Sequence, residues 1–209
     1  QIEETADQIL QVDGPFCYLT STDAYDAALT AAFEEAAEQA GNERAGLRAN
    51  AEQVLGIMAA RKRMHAVRRP GIIAMLPVTR MRQFLQDGVA GSIALSERTR
   101  RICRQVAAAE LQHIADMMET EPMGLQFGLL TNNEPSASFK ILRARDRATL
   151  AVNPFRPDTP PPAATGVAMI TGADEAIVAH QRVAESQWRE AVKGAAGAAL
   201  VREMLAAQN

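Results

Sequence analysis

Apolar positions recur along the first 120 residues mainly at helical spacing. IEETADQILQV (2–12) reads as a short amphipathic helix with Ile9 and Leu10 at its apolar end. Gly14-Pro15 then turns the chain, and FCYLT (16–20) reads as a short strand. Thr22-Asp23 supplies an N-cap for a helix whose stripe is Tyr25, Leu29, Phe33, Ala36 and Ala40, stopped by Gly41-Asn42. A second helix over 43–64 would bury Leu47, Ala51, Val54, Leu55 and Met58, completing an αα-hairpin. GIIAML (71–76), bracketed by Pro70 and Pro77, has strand length, and VTRMRQFLQD forms a short helix ended by Gly88. Ser96 caps a long helix with Cys103, Ala107, Leu111, Ile114 and Met118 on one face.

The pattern changes after Pro122. GLQFGLL (124–130), SFKILRA (138–144), TLAVN (149–153), GVAMIT (166–171) and EAIVAH (175–180) are strand-like and mostly separated by short turns. TPPPAA (159–164) reads as an extended, exposed loop. One Ala-rich helix (182–207) closes the chain, packing Trp188, Ala191, Ala195, Ala198 and the Leu200/Met204/Leu205 cluster. The expected fold class is α+β, one domain over 1–209. A helical N-terminal part (1–120), an αα-hairpin plus a long helix, packs on a mostly antiparallel sheet of five to seven strands with a C-terminal helix (121–209).

Composition narrows the function classes. Hydrophobic residues at 47% and charged residues at 22% are ordinary for a globular chain of 209 residues, but aromatics are only 4%. Core volume must therefore come from Ala, Leu, Ile, Val and nine Met. A net charge of −3 and a pI near 5.7 count against a dedicated nucleic-acid-binding domain, whose affinity grows with each phosphate it neutralises. Cys17 and Cys103 form no CxxC pair, which fits a reduced, cytoplasmic setting with both thiols buried. No apolar run reaches the length of a membrane span, so no membrane partner is expected. The first residue is Gln rather than Met, which points to a chain cut from something longer.

Few residues suggest chemistry. Glu110 and His113 lie three apart on the long helix, with Asp116 three further on, a spacing that puts a carboxylate and an imidazole on one helix face. Carboxylate-bridged metal bundles need that motif twice plus Glu from two further helices. Here it occurs once, so a polar helix face is the plainer reading and no metal site is expected. A catalytic reading would draw on Tyr18, Thr20, Asp23, Glu110 and His113. DGVAGS (87–92) lacks the Lys-Ser/Thr ending of a phosphate loop and the full GxGxxG, and no GxSxG elbow, HExxH, EF-hand loop or HKD-type phosphodiesterase motif occurs, so no cofactor is expected. ARKRMHAVRR (60–69) lies at a helix C-terminus, where cations complement the macrodipole. Arg98, Arg100, Arg101 and Arg104 lie at the opposite kind of end, and either pair with EEAAE (34–38) or line an anion site.

In RARDRATLAVNPFRPDTPPP (143–162), Arg145-Asp146-Arg147 falls at a hairpin tip and Arg156 lies beyond the second strand. Arg143 alone lies inside a strand, either outward and solvated or inward and available to an anion. With His180, Trp188 and Arg101 it makes up the candidate ligand contacts.

FGLL (127–130), SFKILRARDRATLAVNPF (138–155) and GVAMITGADEAIVAHQRVAESQW (166–188) together resemble the sensor halves of bacterial one-component transcription regulators. The resemblance covers roughly the last 90 residues and implies an apolar pocket between sheet and helices that holds a small-molecule effector. It also implies a homodimer, with DNA reached only through a segment absent from this chain. Two other readings stand beside it: a small-molecule enzyme with a site around Glu110 and His113, and an assembly protein that associates through its long helices.

Overall fold

The computed structural model describes residues 2–132, 137–153 and 168–208. Its strands are β1 (Gln8–Val12), β2 (Gly71–Pro77), β3 (Leu125–Leu130), β4 (Ser138–Arg143), β5 (Ala148–Asn153), β6 (Met169–Thr171) and β7 (Val192–Lys193). Its α-helices are α1 (Asp23–Gln39), α2 (Arg44–Arg68), α3 (Val78–Asp87), α4 (Glu97–Thr120), α5 (Asp174–Glu190) and α6 (Gly194–Ala206). The strands form one sheet in the order β6-β5-β4-β1-β2-β3-β7, so the α+β expectation holds.

The sheet is mixed in an orderly way. β1, β2 and β3 are parallel, joined by two helical crossovers, α1 with α2 and then α3 with α4. β4, β5, β6 and β7 add antiparallel pairs at the flanks. Strand alternation divides the core in two. On one face Ile9, Ile72, Ala74, Leu76, Phe127 and Leu129 meet buried residues of α1, α3, α4 and α6. On the other, Val12, Met75, Leu130, Phe139, Ile141 and Leu150 meet Ile177, Ala184 and Ala191 on and just beyond α5. A single helix is too narrow to cover that second face, and Leu10 and Ile73 stay partly exposed beside it.

Four sequence expectations change. Residues 2–12 are a 3-10 turn (Glu3–Thr5) followed by β1, not a helix. Ile9 faces one side of the sheet and Val12 the other, which a central strand needs and a surface helix does not. Two of the central parallel strands therefore come from the part read as helical (1–120). Residues 16–20 are not a strand: Thr20 and Ser21 donate back to the Cys17 and Tyr18 carbonyls at 3.0 Å each, a 3-10 turn that leads into the Thr22 cap. EAIVAH (175–180) is helical, the first part of α5, with Asp174 and Glu175 in its first turn. Its buried residues Ile177 and Ala184 lie seven apart, a helical repeat, while Val178 is exposed.

The closing helix over 182–207 is in fact two helices. The chain extends at Ala191, pairs as β7 with β3, and turns at Gly194 (φ 55°), where α6 begins. That step carries it around the sheet edge, so α5 covers one face while α6 packs against α4 on the other. Gly197 of α6 is the close-packing point: a Cβ there would collide with the Met118 methyl. The hairpin tip at 145–147 is exposed as expected, closed by the Ala144 N–H donating to the Arg147 carbonyl at 2.9 Å. Arg156 and the TPPPAA loop lie outside the described residues.

Candidate functional site

The half-covered sheet face forms a groove. Leu10, Ile73 and Met75 of β1 and β2 lie along one side of it, and Gln181, Ala184, Glu185, Trp188 and Arg189 of α5 along the other. Gln8 and Arg143 complete the lining of a space of about 1000 Å³ that opens to solvent. Alternation along β4 puts Arg143 on the same face as Phe139 and Ile141, so of its two possible orientations it takes the inward one. Its Nη2 donates to the Gln181 Oε1 at 2.6 Å, and the Gln181 Nε2 donates to the Glu185 Oε1 at 2.7 Å. Among the described residues Arg143 makes no ion pair. A half-buried guanidinium thus has a neutral amide as its hydrogen-bond partner, although it offers five donors in a fork that suits a carboxylate.

Trp188 is fixed by its own surroundings. Its ring lies against β3 at Gly128, where a Cβ would stand 2.8 Å from Cζ3 and 3.0 Å from Cε3, so only glycine allows this approach. The Lys193 ammonium sits over the ring, 5.1 Å from the centroid, and donates to the Trp188 and Ala191 carbonyls at 2.6 and 2.8 Å. Those bonds tie the end of α5 to β7. Gly128 and Lys193 escaped the sequence reading. The available signal was a glycine inside the apolar run FGLL, which marks a close approach but not what approaches.

The other candidate residues lie elsewhere. His180 is on α5, but its Nδ1 donates to the Ala176 carbonyl at 2.8 Å and its ring meets Phe139 edge-on, with centroids 5.0 Å apart. Arg101 is exposed on α4, which packs on the opposite face of the sheet from α5. Its neighbour Arg104 pairs with Glu97 of the same helix at 2.8 Å, and Arg100 lies 3.8 Å from that carboxylate.

Glu110 is fully buried, and its carboxylate accepts from the Thr22 N–H at 3.2 Å and from the Thr22 hydroxyl, at the start of α1. His113 is half-buried one turn further along α4. Among the described residues no three His, Cys, Asp or Glu side chains gather as a metal site. The EEAAE segment repeats the arrangement in reverse. Glu35 of α1 accepts from the Ser96 N–H and from the Ser96 and Thr99 hydroxyls at the start of α4, which holds its carboxyl below the usual carboxylate range. Each of these antiparallel helices therefore has its positive end met by a carboxylate of the other.

Tyr18, Thr20 and Asp23 do not join Glu110 in a cleft. Burial, helped by the charge of Asp26, pushes the Tyr18 phenol well above its ordinary value, and its hydroxyl donates to Asp26 at 3.2 Å. The Thr20 hydroxyl donates to the Cys17 carbonyl at 2.9 Å, and the Asp23 side chain is exposed.

A second depression of about 570 Å³ lies at the carboxyl ends of β1 and β2, where open sheets with parallel strands commonly hold ligands. Asp13, Arg80, Gln83, Asp87 and Ser138 line it above a cluster in which the Phe16 ring lies 4.8 Å from Tyr25 and 5.1 Å from Phe84. No helix of the described residues is long and apolar enough to cross a membrane. Neither a family model, nor a curated protein, nor a solved structure matches the chain significantly.

Proposed function

We propose that this chain is a small-molecule-sensing regulatory domain whose effector binds in the groove between α5 and the sheet. Arg143 carries the reading. It is inward-facing, half-buried and held by a neutral amide, above apolar side chains and beside a preset tryptophan. The matching ligand is a small molecule with an apolar body and one carboxylate. The body would lie on Leu10, Ile73 and Trp188, and the anionic head would meet the guanidinium.

The connectivity offers a way for such a ligand to be felt elsewhere. α5 continues through β7 into α6, and α6 packs along α4, so a shift of α5 is passed around the sheet edge to the helical face. In this reading the domain works in the cytoplasm of a bacterium as part of a transcription regulator, and DNA is contacted through a separate segment.

A thermal-shift screen of the chain against aliphatic and aryl-alkyl carboxylates tests the proposal. Ligand at a hundredfold over Kd stabilises by about 2.7 kcal/mol. For a domain of this size that moves the unfolding midpoint by roughly 5–10 °C. Arg143→Gln should abolish the shift while leaving the unliganded midpoint nearly unchanged. No shift with any carboxylate, or an equal shift in the variant, would sink the reading.

A further inference from the structure

Helix α2 lies away from the groove between α5 and the sheet. It has 25 residues, of which only Ala51 is buried. It touches α1 and the turns around residues 3–5, 18–20 and 41–43, and its far side is exposed. That far side is not uniformly polar. Ile57, Met64 and Val67 are 54%, 38% and 81% exposed. With the exposed Ala60 they follow one another in steps of three, four and three residues. Such spacing forms a seam along one side of a helix, the pattern by which two helices pack together.

The charges beside the seam select the partner and its direction. Glu52 and Arg63 are both exposed, and among the described residues neither forms an ion pair. Eleven residues apart, they lie within about 20° of each other around the helix axis, on the same edge of the seam. Against a second, parallel α2 that edge would face the opposite edge of the partner, and the two charges would not meet. Against an antiparallel α2 paired about a dyad between Met58 and Ala59, Ile57 packs on Ala60 of the other copy and Met64 on Gln53. Glu52 then comes within about 3 Å of level with Arg63, a step the long arginine side chain spans. The dyad produces this contact twice, and the opposed helix dipoles add to it.

We propose that a second copy of this chain packs antiparallel on the exposed face of α2, with Ile57 near the dyad and reciprocal Glu52–Arg63 pairs at its edge. Sedimentation velocity of the chain from micromolar to millimolar concentration should show a reversible monomer–dimer equilibrium. Ile57→Glu should make it monomeric with an unchanged circular dichroism spectrum and, at concentrations below the dimer Kd, an unchanged melting curve, because the residue is exposed. Glu52→Arg and Arg63→Glu should each weaken the dimer at least fivefold, and the double exchange should restore it. A chain monomeric throughout, a dimer indifferent to Ile57→Glu, or a double exchange no better than the singles would each overturn the proposal.

Discussion

Replacing Glu110 tests whether the most enzyme-like residue in the sequence is structural. It is 1% exposed, and its carboxylate accepts from the backbone N–H and the hydroxyl of Thr22 at the start of α1. In Glu110→Ala, the part-buried N–H and hydroxyl of Thr22 lose their acceptor, costing about 1–2 kcal/mol. The loss of a negative charge at a helix N-terminus adds about 0.5–2 kcal/mol. The void left by the side chain adds to this, while removal of a desolvated carboxylate offsets part of it. A net loss of about 3 kcal/mol follows, or roughly 6–12 °C in the melting midpoint. Glu110→Gln keeps the shape and one acceptor, so about 1 kcal/mol is expected there. Urea and thermal unfolding at neutral pH, followed by circular dichroism, measure both. Equal stability of Glu110→Ala and the parent chain would contradict a structural role for this carboxylate. So would stabilisation of the parent, but of neither variant, by a divalent metal, since Glu110 would then be a ligand.

Three further outcomes follow from particular contacts. Gly128→Val places atoms where the Trp188 ring lies, so tryptophan fluorescence should shift to the red; an unchanged spectrum would contradict the packing described. Gly88→Ala combines a φ of 77° with a Cβ 2.8 Å from the Cys103 carbonyl carbon, and should lower stability by roughly 2–4 kcal/mol in urea unfolding, against no loss if the turn can relax. Burial opposes ionisation of Glu3, but the hydrogen bond from Arg61 and the charges of Lys140 and Arg61 outweigh it, so its folded carboxyl titrates below the ordinary range. Its stabilisation is therefore full above the unfolded value of roughly 4.3 and is lost as pH falls through the lowered folded value. Glu3→Gln should flatten the acid limb of the melting-point profile, and an unchanged limb would count against the pairing.

Elements with a local signal were legible in the sequence. The Thr22 and Ser96 caps, the Gly88 stop and the proline-bracketed β2 all came through. β1 did not, because a short strand in the middle of a sheet has apolar residues on both faces, and IEETADQILQV offers no alternation to separate it from a helix end. The α5–β7–α6 break was equally hidden. An alanine-rich run favours helix throughout, and only the antiparallel pairing of Val192 and Lys193 with β3 pulls it apart. Within the candidate site, Arg143 was readable as a charge inside a strand and Trp188 as a large apolar residue. Their meeting depends on α5 lying across β4, which no local pattern specifies. Reading 175–180 as a strand hid the groove, since a strand there would have left no helix to form its wall.

Trp188 is the single tryptophan of the chain and lines the groove, so its fluorescence reports directly on occupancy. The decisive measurement is a titration of the intact chain with a medium-chain or aryl-alkyl carboxylate, beside the corresponding alcohol. The prediction is a saturable fluorescence change for the carboxylate, with affinity at least tenfold weaker for the alcohol and for the Arg143→Gln variant. A flat titration, or equal affinities for carboxylate and alcohol and for parent and variant, would contradict a carboxylate-binding groove governed by Arg143.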